Sequence, residues 1–140
     1  MKKIITFGVF DYFHFGHLLL LERCKALGDY LIVAVHDDLH VMVNKPDCKL
    51  FYNENERLKM VEAIKYVDEA ILYTQIDETI KDVDFDVLVV GPDQKNDHFI
   101  KAIEYCKKMN KEVVTLSRTP HISSSQIRYD KKNTKPKKCS

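Results

Sequence analysis

The sequence predicts a doubly wound α/β domain, a mostly parallel sheet with helices on both faces. Three observations carry that expectation. Strand-like and helix-like segments alternate from end to end without an internal repeat. Two of the strand-like runs, YLIVAV at 30–35 and DVLVV at 86–90, are apolar almost throughout, as strands covered on both faces are. Finally, 140 residues with 45% hydrophobic and 31% charged content suit one hydrophobic core, which argues against disorder and against a small disulfide scaffold.

Residues 3–10 are rich in β-branched and aromatic side chains and predict the first strand. Over 17–27, Leu18, Leu21, Cys24 and Leu27 return at helical spacing, and Gly28 follows as the stop. Residues 30–35 are the second strand. Asn53 is an expected N-cap, with Glu56 at the capping-box position, for a helix whose face is Leu58, Val61, Ala63 or Ile64, and Val67. Residues 70–73 predict a short strand and 78–83 a short helix. The buried strand at 86–90 ends at Gly91-Pro92-Asp93. Over 97–109, Phe99, Ile100, Ile103 and Cys106 or Lys107 trace a helix, and 112–116 predict the last strand. Ligands of such a domain bind beyond the carboxyl ends of its strands, so site residues are expected just after strands.

The chain carries 22 basic and 21 acidic residues, a net charge of +1. Five Lys and one Asp fall in 130–140, which leaves −3 on residues 1–129. That body is mildly acidic and is not expected to bind nucleic acid. Residues 131–138, broken by Pro136, have nothing apolar to bury; a domain over 1–129 followed by a basic flexible tail over 130–140 is expected. No apolar run approaches the roughly 18 to 20 residues that cross a bilayer. The short apolar stretch after Lys3 meets Asp11 where a signal-peptide cleavage region would lie, so a cytoplasmic protein without membrane association is expected. Cys24, Cys48, Cys106 and Cys139 form no CxxC pair, which favours reduced thiols.

Directly after the first strand stands GVFDYFHFGH, residues 8–17. His14 and His17 are three apart at a helix start and share a face. Gly16 between them lets a phosphate approach the backbone, and the helix start adds unpaired N–H groups and a positive dipole. These features suit an anionic, phosphate-bearing ligand. Neither GxGxxG nor GxxxxGK[ST] is present. Two other readings use the same residues: Asp11, His14 and His17 as metal ligands, or the imidazoles satisfying backbone groups at the helix end.

GVFDYFHFGH resembles the GTFDxxHxGH signature of the HxGH nucleotidyltransferases, specifically the bacterial glycerol-3-phosphate cytidylyltransferase group. Three further segments agree in order and position. KYVDEA at 65–70 looks like that group's RYVDEV segment, Gly91-Pro92-Asp93 lies where the group has Gly-Asp-Asp, and RTPHISSS at 118–125 looks like its RTxGISTT segment. The likeness runs from about 4 to 128. It implies a Rossmann-like nucleotidyltransferase fold, a homodimer, and transfer of CMP from CTP to a phosphomonoester with release of pyrophosphate. A phosphate monoester has a second pKa of about 6 and is largely ionised at neutral pH, so no general base is required. Catalysis then consists of alignment and charge neutralisation, with Mg²⁺ on the triphosphate as the expected cofactor.

Residue by residue, the resemblance implies His14, His17 and Arg118 as the catalytic set at the CTP phosphates. Gly8, Val9, Phe10, Asp11 and Gly16 would form the nucleotide turn, with Asp11 either beside the metal or orienting that turn. Gly91 and Asp93 would line the nucleoside pocket, and Arg118, Ile122, Ser123 and Ser124 would close around the β- and γ-phosphates. Lys45 or Lys49, with Arg57, would hold the acceptor phosphate; the alternative for these three is a solvated surface charge.

Departures from the group's pattern are Val9 for Thr, His121 for Gly, Gln94 for the Trp of Gly-Asp-Asp-Trp, and Lys65 for Arg. The first three stand around the nucleotide or acceptor pocket. They point away from glycerol 3-phosphate towards another small phosphorylated alcohol, sugar or amide. An adenylyltransferase acting on a sugar phosphate and a non-enzymatic nucleotide-binding module are the alternatives. KYVDEA and RTPHISSS favour the cytidylyl reading, and the two His, Arg118 and the serine run favour an enzyme. A CDP-linked product would point to cell-surface polymer or lipid-head-group synthesis.

Overall fold

The structure, a computed structural model, describes residues 1–92 and 94–117. Runs of β-branched and aromatic residues form five strands: β1 (Lys3–Gly8), β2 (Tyr30–His36), β3 (Glu69–Tyr73), β4 (Val87–Val90) and β5 (Glu112–Thr115). They make one sheet in the order β3-β2-β1-β4-β5, and every neighbouring pair is parallel. Chain order therefore reverses beside β1, and the crevice between β1 and β4 is the topological switch point. The predicted architecture is observed.

Helices α1 (Phe15–Lys25), α2 (Asp38–Asn44), α3 (Glu54–Glu62), α4 (Ile76–Thr79) and α5 (Asp97–Lys108) connect the strands, with a 3₁₀ turn at Ile80–Asp82 after α4. Strand alternation sorts the core into two layers. Ile4, Leu31, Val33 and Val87 meet Leu21 and Cys24 of α1 and Val61 of α3 on one face. Ile5, Phe7, Ala34 and Leu88 meet Ile76 of α4 and Phe99, Ala102 and Cys106 of α5 on the other. Full burial of each large side chain stabilises the fold by about 1.5–3 kcal/mol.

The capping box of α3 forms as expected: Asn53 Oδ1 accepts from Glu56 N at 2.9 Å, and Glu56 Oε1 accepts from Asn53 N at 3.0 Å. Helix α2 was not expected. Only Val41 of its apolar residues is buried, while Leu39, Met42 and Val43 are exposed, so no stripe faces the core. It is fixed instead by Asp37, whose carboxylate accepts from His40 N. The short helix expected over 78–83 starts earlier, at Ile76. Asp68 of the KYVDEA segment accepts from Leu31 N and from the Lys25 ammonium at the start of β2. Burial works to raise its pKa, but those two donors hold the carboxyl below its ordinary value. Cys24 and Cys106 are free and buried. Cys48 is disulfide-bonded, which corrects the expectation of a reduced thiol at that position. Among the described residues no helix is long and apolar enough to cross a membrane. The proposed tail over 130–140 lies outside the described residues.

At the carboxyl edge of the sheet, His36 and Tyr73 are register partners, and their rings stack with centroids 4.4 Å apart and planes 1° from parallel. His36 Nε2 lies 2.6 Å from the Thr74 carbonyl, so Nε2 carries the proton. Burial, aided by the nearby His40 and Arg57, lowers the His36 pKa to about 4 despite Thr74 and Asp37. An unfolded histidine titrates near 6.5, so between about 4 and 6.5 the unfolded chain binds the extra proton. Stability should therefore fall as pH drops through that window, by up to about 1.4 kcal/mol per pH unit from this group, and be fully present above it. Urea denaturation at stepped pH checks this, and His36→Phe should remove that part of the slope.

Candidate active site

Beyond β1 the backbone turns sharply. Phe10 and Tyr12 have φ of 57° and 50°, in the left-handed region that non-glycine residues occupy at a cost of about 1–3 kcal/mol. Three features hold that turn. A Cβ on Gly8 would lie 2.9 Å from the Phe10 ring, so the ring folds over the strand end only because residue 8 has no side chain. Asp11 is wholly buried, and its carboxylate accepts from Phe51 N and Tyr52 N at 2.8 and 3.0 Å. Arg57 is also wholly buried. Its Nη1 donates to Val9 O at 2.8 Å and His36 O at 2.7 Å, Nε donates to Tyr52 O at 3.0 Å, and Nη2 donates to the Asp38 carboxylate.

The same turn delivers the two histidines. His14 is the N-cap of α1, and its Nδ1 accepts from Gly16 N at 2.9 Å. His17, three residues on, accepts at Nδ1 from His14 N at 3.3 Å. The two rings stack with centroids 4.0 Å apart and 19° between planes, and Phe10 and Phe13 pack against His17. An accepting Nδ1 fixes the tautomer, so each neutral ring carries its proton on Nε2. Burial lowers the His14 pKa, in keeping with a neutral ring. Capping uses Nδ1 and donation to an anion uses Nε2–H, so the helix-end reading and the phosphate reading are compatible.

Other expected site residues fare differently. The Asp11 carboxylate is buried on backbone N–H groups, and among the described residues no group of three His, Cys, Asp or Glu side chains is placed to hold a metal ion. These bonds let Asp11 orient the turn, and among the described residues Asp11, His14 and His17 do not form a metal-holding group. Arg57 is corrected. It is no surface charge, and four protein oxygens engage its guanidinium, so it supports the turn instead of meeting an acceptor directly. Gly16 N–H is used in the cap, and Gly91 N–H donates to Gln94 Oε1 at 2.9 Å. Asp93, Arg118, His121, Ile122, Ser123 and Ser124 lie outside the described residues.

A cleft of about 170 Å³ opens over the carboxyl edge of the sheet. Gly8, Val9, His36 and Tyr73 line it from the ends of β1, β2 and β3; Asn44 and Lys45 line it from the end of α2. Gln75 and Ile76 close it at α4, and Gln94, Lys95 and the start of α5 complete it. Lys49 is exposed and stands outside this lining. Val9 packs with Val41 and Cys48 in a small cluster of its own, which ties α2 to the end of β1. Gln94 bridges the switch point: its Nε2 donates to Phe7 O at 2.8 Å while its Oε1 holds Gly91 N. Sequence reasoning missed His36, Asn44 and Gln75, none of which belongs to a motif. Position just after a strand would have flagged His36 and Gln75; nothing in the sequence flags Asn44.

The family model described as Cytidylyltransferase-like matches residues 5–130. Glycerol-3-phosphate cytidylyltransferase of Bacillus spizizenii is 42% identical over 93% of this chain and 97% of its own length. The Staphylococcus aureus protein of that name is 36% identical over 93% and 95%. An FAD synthase of Methanocorpusculum labreanum is 37% identical over 91% and 93%. Among solved structures, a lipopolysaccharide core biosynthesis protein of Thermoplasma volcanium superimposes with a TM-score of 0.71 at 30% identity, covering 87% of this chain and 99% of that one. A histidine pair capping the helix after the first strand, on an all-parallel sheet of this order, thus sits in a chain that belongs to the cytidylyltransferase-like family of nucleotidyltransferases.

Proposed function

We propose that this protein transfers CMP from CTP to a small phosphomonoester, releasing pyrophosphate and forming a CDP-linked product. The histidine pair at the start of α1 carries this reading, because the hydrogen bond that His14 Nδ1 accepts turns its Nε2–H into a donor for phosphate, with the His17 ring stacked beside it. An oxygen of the ionised monoester attacks the α-phosphorus, and the bond to the pyrophosphate oxygen breaks. His14 and His17 offset charge developing on the phosphates. Arg118, Ser123 and Ser124 would complete that set at the β- and γ-phosphates. Mg²⁺ enters this reading as part of the CTP chelate, held chiefly by triphosphate oxygens.

The cleft is the proposed acceptor site. It lies on the α4 and α5 side of β1, whereas α1 packs on the opposite side, so acceptor and nucleotide would meet over Gly8 and Val9. Lys45 at the cleft would take the acceptor phosphate. Val9 and Gln94, two of the departures from the group's pattern, both line the cleft, which supports an acceptor other than glycerol 3-phosphate. Adenylyl transfer is the second reading, favoured by the FAD synthase likeness. A volume near 170 Å³, below the roughly 300 Å³ at which drug-sized pockets begin, suits a small acceptor better than a flavin. A cytoplasmic homodimer serving cell-surface polymer synthesis is the proposed setting.

CTP with Mg²⁺ should raise the melting temperature more than ATP, GTP or UTP at equal concentration, since binding to the native state adds about 2.7 kcal/mol at a hundred times Kd. Equal shifts from ATP and CTP would favour the second reading. The cap geometry also separates chemistry from architecture at His14. His14→Asn retains a strong N-cap but has no Nε2–H, so kcat should fall by about 10² to 10³ with little change in the KM for CTP. His14→Ala should lose a further 1 kcal/mol or so of stability. Pyrophosphate release and thermal melts measure both; a folded His14→Asn protein with near-normal turnover would sink the catalytic role.

A further inference from the structure

We propose that the paired amides of Asn44 and Gln75 are the specificity-determining residues of the cleft, selecting a phosphomonoester whose carbon chain carries several hydroxyl groups. The proposal rests on the reading of the cleft as the acceptor site. Asn44 ends α2 and Gln75 precedes α4, and both line the cleft. Their amides face each other through two hydrogen bonds: Asn44 Nδ2 donates to Gln75 Oε1 and Gln75 Nε2 donates to Asn44 Oδ1, each at 3.0 Å. Gln75 is only 7% exposed.

A primary amide has two N–H donors and two lone pairs on its oxygen. The reciprocal pair uses one of each, and neither side chain makes another hydrogen bond among the described residues. Each amide therefore retains one N–H and one lone pair, and its partner fixes which end is which. His36 adds an accepting Nδ1, because its Nε2 donates to Thr74 O. Neutral donors and acceptors set side by side match hydroxyl groups, which both donate and accept.

The remaining lining sharpens the choice. Among the described residues that line the cleft none is a carboxylate, and Lys95 sets a like charge against an acceptor bearing an ammonium group. A plain alkyl chain would leave the second N–H and lone pair of buried Gln75 and half-buried Asn44 unmatched. That penalty is asymmetric: a site built to hydrogen-bond a hydroxyl rejects the analogue lacking it far more strongly than an apolar site rejects an added hydroxyl.

The test uses the full chain and three matched pairs: ribitol 5-phosphate against pentyl phosphate, erythritol 4-phosphate against butyl phosphate, and glycerol 3-phosphate against propyl phosphate, with phosphoethanolamine alongside. Each compound is measured as acceptor in CTP-dependent pyrophosphate release and, without CTP, as a ligand raising the melting temperature. Ribitol 5-phosphate or erythritol 4-phosphate should exceed its alkyl partner by about 10² in kcat/KM, and by more than glycerol 3-phosphate exceeds propyl phosphate. Asn44→Ala and Gln75→Leu should each cut that ratio tenfold or more and leave the KM for CTP unchanged. Polyol-to-alkyl ratios below about three, ratios that survive in the folded variants, or phosphoethanolamine as the best acceptor would each overturn the proposal. If Gln75→Leu does not fold, Asn44→Ala, on the more open side of the pair, decides alone. If nothing turns over with CTP, the cytidylyl reading fails by itself. A polyol phosphate that stabilises wild type but not Asn44→Ala would still support the amide pair, and stabilisation by none would end both.

Discussion

The functional end of this molecule depends on one guanidinium with no exposure to solvent. Arg57, on α3, donates to carbonyls of Val9, His36 and Tyr52 and to the Asp38 carboxylate. Burying that charge without partners would cost several kcal/mol, and four oxygens offset it. Those oxygens belong to the turn after β1, the end of β2, the start of α2 and the approach to α3. Asp11 works in the opposite sense, drawing the N–H groups of Phe51 and Tyr52 to the same turn. A lysine, with a compact ammonium in place of a planar fork, could not span those positions. The strained φ values of Phe10 and Tyr12 persist because this surrounding network over-determines them.

Two working faces share the last residues of β1. On one side α1 begins with its stacked imidazoles; on the other the cleft runs across the ends of β1, β2 and β3. Val9 belongs to both. Its carbonyl is held by Arg57 and its side chain packs with Val41 and Cys48. The valine here is thus a packing residue for α2, which ends at Asn44 just before Lys45, and this gives its departure from the group's threonine a local physical reason. Gln94 has a comparable role across the switch point, joining Phe7 to Gly91.

The sheet was legible because parallel strands buried on both faces write themselves as continuous apolar runs, and YLIVAV and DVLVV are such runs. The start of α3 was legible because a capping box needs only residues three apart. Helix α2 was not, since it turns one valine inward and three apolar residues outward. At the site, the residue types of His14, His17 and Asp11 were readable, but their partners were not. That His14 caps with Nδ1, or that Asp11 reaches residues 51 and 52, depends on how distant segments meet. Arg57 shows the same limit more sharply: a charge on a helix reads as solvated, and only packing reveals it as wholly buried at the strand ends. Asn44 and Gln75, 31 positions apart, become a unit only through the fold.

The capped histidines also set how this surface answers acid. Ordinary imidazole clusters strengthen their hold on polyphosphates as they take up protons, because each gains a full positive charge. Here a proton arriving at Nδ1 of His14 would confront the amide hydrogen of Gly16 already aimed at that nitrogen. Charging the His14 ring at that nitrogen gives up this cap, a loss of about 1 kcal/mol. Acid thus acts on the start of α1 in two opposed ways, adding charge to the ring and removing its cap. On the proposed reading, a nucleotide would be met here by directed neutral dipoles and the helix start.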